Sequence, residues 1–160
     1  MINPSFSSYL FTFLVSMLPI SELRGGLPLG ISLGVSPLKA YLISVIGNVT
    51  PVLPLLYGLK YLSKIAKRYR WSGKIFIMVE KSVRRKRKIV YRYGIIGIMV
   101  LVAVPLPVTG AWTGTFLSFL LSIPVKQSFP AIFAGVCLAG VIVLFATIGI
   151  IGAERVISGM

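Results

Sequence analysis

Histidine is absent from these 160 residues, cysteine occurs once, and only three side-chain carboxylates are present. Metal sites built from imidazole or clustered thiolates are therefore excluded within one chain, and Cys137 has no partner for an intrachain disulfide. Glu22, Glu80 and Glu154 are scattered too widely to argue for an oxygen-ligand metal cage, so no metal or cofactor is expected. A serine hydrolase would lack its base. With acid–base groups this scarce the chain does not read as an enzyme, Glu22 being the one candidate inside the apolar part. No Lys or Arg precedes the first apolar segment, Met1 to Ile20. That segment does not resemble a cleaved secretory signal and is expected in the mature protein.

What fills the chain instead is apolar: 56% hydrophobic residues with a mean hydropathy of +0.93. The 12% of charged residues is about half the share of a soluble domain, which places the chain among polytopic membrane proteins. Of 17 basic residues, 13 lie between Lys60 and Arg92, which leaves the loop at +12 once Glu80 is counted. Cations are retained on the cytoplasmic side during insertion, so the loop is expected in the cytoplasm and the protein in the cytoplasmic membrane. Ile75, Met78, Val79, Val83, Lys86, Val90 and Tyr93 recur at helical spacing, predicting a basic amphipathic helix. Arg84, Arg85, Lys86, Arg87 and Lys88 would lie on anionic membrane lipid, or serve only as a topology signal. Nucleic acid is not an expected partner, because it leaves the hydrophobic remainder without a reason.

One plan is used twice around this loop. The apolar run Phe6–Leu18 meets PISELRGGLPLG (19–30), resumes to Val35, turns at Ser36-Pro37 and continues as a long apolar segment to Tyr61. In the second half Gly94–Val104 meets PLPVTGAWTG (105–114), resumes from Thr115 to Ser122, turns at Ile123-Pro124 and runs from Phe129 to Ala153. Helices of about 8–14 residues rise only about 12–21 Å against a core of about 30 Å, so neither piece of a broken segment spans alone. Each pair is a re-entrant hairpin or a single crossing with an unwound centre, and either way the break is expected to face inward. Hairpins give each half an odd number of crossings and so invert the second half. The fold expected is an all-α integral membrane protein of one domain, 1–160. Its parts are a first half-repeat (1–61), the basic cytoplasmic helix (62–92) and a second half-repeat (93–160), with two re-entrant hairpins and two full transmembrane helices in an inverted repeat.

Both breaks carry candidate pathway residues. Pro28 removes a backbone donor, and Gly25 with Gly26 permits conformations closed to other residues. A short helix starting near Leu27 would, with Arg24, make an anion site. Glu22 would hold Arg24 in place, carry protons, or form a structural ion pair that pins the segment. Gly26, Gly30 and Gly34, like Gly110 and Gly114, have the four-residue spacing that lets helices approach closely. In the second break Pro105, Pro107 and Gly110 interrupt the helix, Thr109 and Thr113 offer hydroxyls, and Trp112 offers an indole donor. Asn48 is expected to cross-link helices by hydrogen bonding more than to touch substrate.

PISELRGGLPLG, GNVTP (47–51) and PLPVTGAWTG in this order resemble the "putative small multidrug export" membrane protein family over nearly the whole chain. Val108 departs from that family's PLPGTGAWTG-like pattern, which has a glycine there. The family is similar in layout to DedA-type proteins, whose two facing re-entrant hairpins are implicated in moving lipids or lipid carriers. The resemblance implies that Glu22, Arg24 and the glycine-proline breaks line a pathway. DedA-type proteins carry charges in both hairpins, whereas the second break here has none. The function expected is a transporter or flippase for an amphipathic or anionic small molecule or lipid, with a midplane site between the hairpins. The alternative is a membrane scaffold or assembly factor whose basic loop binds anionic lipid or partners. So small a chain is also expected to form a homo-oligomer, a dimer first.

Overall fold

The computed structural model describes residues 5–68, 87–105 and 109–158, and all regular structure among them is helical. In chain order the helices are α1 (Phe6–Met17), α2 (Glu22–Ser32), α3 (Pro37–Val49), α4 (Val52–Arg68), α5 (Arg87–Ala103), α6 (Ala111–Leu120) and α7 (Val125–Ser158). Two apolar stretches are long enough to cross a bilayer: Pro37–Tyr61, of 25 residues, and Val125–Ile151, of 27. The first is divided at Thr50-Pro51, where proline ends α3 before α4 begins.

The distribution of polarity is inverted relative to a water-soluble protein. Helix α1 buries Ser8, Thr12 and Ser16 and exposes Phe6, Leu10, Phe11, Leu14 and Leu18. Helix α3 does the same, with Ser44, Gly47 and Asn48 inside and Leu38, Leu42 and Ile46 outside. Along α7, Phe133, Leu138, Val141, Ile142, Phe145, Ile148 and Ile150 are exposed. Lipid removes the hydrophobic drive between helices, so small and polar residues collect at helix contacts while large apolar ones face the acyl chains. The chain is a membrane protein.

The described residues fall into two compact units. The first contains residues 5–49 together with α7 from Val136 onward. Here α1, α2 and α3 pack on one another. A side chain at Gly26 would run into Ser16, and one at Gly30 would lie 2.7 Å from Thr12 Oγ1. Contacts that climb one helix while descending the other make α1 and α2 an antiparallel hairpin held by glycine against hydroxyl. At 12 and 11 residues the arms rise about 18 and 16 Å. Helix α3 meets α1 through Gly47, whose added side chain would lie 2.6 Å from the Phe13 carbonyl. The Tyr41 hydroxyl donates to the Cys137 carbonyl at 3.2 Å, and Gly140 lies under the Tyr41 ring.

The hairpin corrects one expectation. The break was expected to stay unwound up to a short helix starting near Leu27, but only Leu18 to Ser21 are non-helical, and α2 runs through Gly25, Gly26 and Pro28. In a tightly packed bundle glycine gains from close approach what it loses in propensity, and proline removes one hydrogen bond without breaking the helix. The helix bond that Pro28 removes is the one to the Arg24 carbonyl, four residues back.

The second unit contains the described residues from Thr50 to Gly135. Helix α6 packs against α4 and α5. Gly114 sits against Val102, Ile98 and Ile132, and Gly135 against the Met99 carbonyl and Val102. Around these glycines its interior is aliphatic, with Ile98, Val102 and Ile132 at most 1% exposed, and Thr115, Ser118 and Ser128 are buried in the same unit. Residues 69–86 of the expected basic helix lie outside the described residues, and Arg87 and Lys88 open α5.

Candidate functional site

The end of α1 leaves carbonyls without helical donors. The Ser21 hydroxyl takes one of them, donating to Val15 at 2.6 Å, and the Glu22 N–H takes another, Leu18, at 3.0 Å. Those bonds turn the chain within four residues and leave Glu22 at the first position of α2 with φ 48°, in the left-handed region. Such a conformation disfavours a residue with a β-carbon by about 1–2 kcal/mol, and strain of this kind clusters at functional sites. Glu22 as a residue is also only 6% exposed. It occupies the positive end of α2, a placement that favours negative charge. Arg24 is half-buried and within electrostatic reach of Glu22.

Because α2 starts at Glu22, Leu27 lies inside the helix, and the anion site expected at a start near Leu27 does not form there. Glu22 is the residue that opens the helix instead.

Glu22, Gly26 and Gly30 follow one another at four-residue steps on the buried face of α2. Ser16 marks the centre of the interface they face: Gly26 of α2 and Gly47 of α3 both abut it. Beside Gly47 stands Asn48, 1% exposed, and one turn earlier Ser44, fully buried. The buried hydroxyls of Thr12, Ser16, Thr115 and Ser118 each donate to the carbonyl four residues back, at 2.7–2.8 Å. Ser44 does not: its Oγ and the Oδ1 of Asn48 have no hydrogen-bond partner. The cross-link expected of Asn48 is thus not made by its carbonyl oxygen. Thr12, Ser16 and Ser44 escaped the reading of the sequence, although hydroxyl residues at four-residue spacing (8, 12, 16) in an apolar helix announce a buried polar stripe.

The first unit therefore brings together Glu22, Arg24, Gly25, Gly26, Pro28 and Asn48. Thr109, Gly110, Trp112 and Thr113 of the second break belong to the other unit, as does Pro105, while Pro107 and Val108 lie outside the described residues. Gly110 caps α6, and Trp112 and Thr113 are half-buried within that helix. The Thr109 hydroxyl donates to the Val104 carbonyl, five residues back, at 2.8 Å, where Ser21 in the first break reaches Val15, six residues back. Among the described residues no group of three or more His, Cys, Asp or Glu could hold a metal ion.

The family described as "Putative small multi-drug export protein" matches residues 22–142, from the buried glutamate well into α7. The chain belongs to that family. No curated protein and no solved structure matches it.

Proposed function

We propose that this member of the small multi-drug export family is a transporter that moves an amphipathic or anionic substrate across the cytoplasmic membrane past the Glu22–Arg24 end of the first hairpin. The observation that carries the reading is Glu22: an acidic residue 6% exposed, in left-handed backbone, among helices whose outer faces are apolar. Ionisable groups at such depth are unfavourable by about 2.5–3.5 kcal/mol on insertion scales and tend to mark pathways. In this reading Arg24, half-buried, meets the anionic part of the substrate and Glu22 orients it.

Hairpin arms of about 16–18 Å are too short for a bilayer core of about 30 Å, which supports re-entry from one side. If the 105–114 break re-enters likewise, each half crosses an odd number of times, giving the inverted repeat and leaving the 62–92 loop cytoplasmic. At the hairpin tip Leu18 is 54% and Ile20 97% exposed, although the backbone there is not helical. Non-helical backbone at membrane depth is tolerated only where protein or water covers it, so a second copy of the chain is proposed to cover the tip.

The test is reconstitution in liposomes, following transbilayer movement of fluorescent phosphatidylglycerol and export of a fluorescent lipophilic cation. Wild-type protein should move at least one probe, and Glu22→Gln or Arg24→Gln should lower that rate at least about ten-fold, the effect of losing roughly 1.4 kcal/mol. Full activity in both variants would refute the reading.

A further inference from the structure

We propose that Ser44 and Asn48 of α3 hold a buried water molecule inside the first unit. Two oxygens carry the argument. Ser44 Oγ and Asn48 Oδ1 stand one helical turn apart on the buried face of α3, in residues 0% and 1% exposed, and neither has a hydrogen-bond partner. Buried polar groups without partners are rare, and a site lined by them takes water where an apolar one stays dry.

The helix itself satisfies neither oxygen. Thr12, Ser16, Thr115 and Ser118 each donate to the carbonyl four residues back, which for Ser44 is the Ala40 carbonyl, and that bond is not made. Nor do the two side chains bond each other. Residues four apart on a helix have β-carbons about 5–6 Å apart, and one water with two bonds of about 2.8 Å closes such a gap. The Ser44 hydroxyl donates to the water and the water donates to the Asn48 carbonyl oxygen, which leaves its second hydrogen for another acceptor. Helix α1 carries hydroxyl oxygens along this interface: Gly30 abuts both Thr12 and Ala40, one turn before Ser44, and Gly47, one residue before Asn48, abuts Ser16.

The second half of the chain shows that the architecture does not require oxygens here. The turn ending α2 and the turn ending α6 have the same bonds, and that register matches Ser44 to Ile132 and Asn48 to Val136. Both counterparts are fully buried apolar residues. Hydrocarbon thus occupies in one half the positions that two orphan oxygens occupy in the other. Both oxygens are neutral, and one belongs to a donor while the other only accepts, so the partner that suits them is itself neutral and does both. A water so held joins its partners nearly as well as a direct hydrogen bond would.

The inference does not need the transport reading, since the water is measurable in the resting protein. Asparagine occurs only at positions 3 and 48, so the full chain carrying Asn3→Ser and nitrogen-15 in its asparagine side chain reports on Asn48 alone. In liposomes, solid-state NMR should show magnetisation passing from water to the Asn48 amide, and a water-soluble gadolinium chelate should leave that amide signal unchanged. Ser44→Ala removes one partner from a molecule that needs two to four, and should lower the transfer at least about three-fold with Tm near that of the parent. Ser44→Thr keeps the hydroxyl and should retain the transfer. No transfer in the parent protein would overturn the site, whatever the variants do. Transfer undiminished in a folded Ser44→Ala protein would overturn it as well, and so would loss of the amide signal to the chelate, which would mean bulk water and not a held molecule.

Discussion

At the end of α2 and again at the end of α6 the chain makes the same turn. Leu33 and Leu121 donate to carbonyls four residues back, at 2.9 Å, Val35 and Ile123 reach back five residues at 2.9 Å, and both of these apolar residues are buried. Between them Gly34 (φ 85°) and Ser122 (φ 55°) take the left-handed position of a Schellman cap. What the two halves bury differs. Across the first hairpin, glycine meets hydroxyl, Gly26 against Ser16 and Gly30 against Thr12, whereas Gly114 meets Val102 and Ile98. The first break begins its helix with a buried glutamate, and the second begins its helix with Ala111 behind a Gly110 cap. Turn chemistry is thus common to both halves, which also both bury hydroxyls, Thr115, Ser118 and Ser128 in the second, and the difference lies in what the helix glycines meet.

The largest expected effect breaks that comparison at its one charged point. Glu22→Gln should abolish most probe movement in liposomes while leaving the protein's detergent Tm near that of the wild type, since the carboxamide keeps the shape. A matching loss from Thr113→Val in the second break would place equal chemistry in both halves and contradict the asymmetry.

Stability offers the next contrast. Ile132→Ala should destabilise by about 2–5 kcal/mol through cavity formation, whereas Ser44→Ala, at the position that the shared turn matches to Ile132, should change Tm little. Thermal unfolding of the two variants side by side reads the difference. If Ser44→Ala is as damaging as Ile132→Ala, Ser44 serves packing in the way its counterpart does.

Close helix contacts come third. Gly47→Ala would place a β-carbon 2.6 Å from the Phe13 carbonyl, a backbone atom that cannot turn aside, and about 1–3 kcal/mol of destabilisation is expected. Gly97 and Gly149 have nothing within 4 Å of an added β-carbon, so alanine there should be neutral or gain up to about 1 kcal/mol from helix propensity. The smallest effect belongs to the shared turn: Ser122→Gly should raise, and Gly34→Ala lower, stability by about 1 kcal/mol or somewhat more. A loss of stability on Ser122→Gly would show that the serine side chain contributes more than its backbone strain removes.

Much of this layout was legible. The long apolar stretches, the turns before Pro37 and Pro124, and the interruptions after Leu18 and Val104 follow from run length and proline placement. The four-residue glycine spacing announced the Gly26 and Gly30 contacts. The start of α2 was not legible, because Gly25, Gly26 and Pro28 are helix breakers in water and packing residues in a bundle, and only the partner helix decides between them. The left-handed Glu22 was equally hidden: no local rule places a glutamate there, and its conformation follows from the bonds of Ser21 and Glu22 to the end of α1. Asn48 stood out as a lone amide, but that its oxygen goes unpartnered beside Ser44 depends on rotamers and neighbours that the chain's order does not encode.

The central claim is that the first hairpin carries its tip, and Glu22 with it, into the bilayer. A nitroxide at Ile20→Cys, in a Cys137→Ser background and reconstituted in lipid, reports that depth directly through its relative accessibility to oxygen and to a water-soluble nickel chelate. The account predicts strong relaxation by oxygen and little by nickel, as for a residue within the hydrocarbon. Water-like accessibility to nickel at residue 20, equal to that of a label on the exposed Ser36 turn, would contradict it.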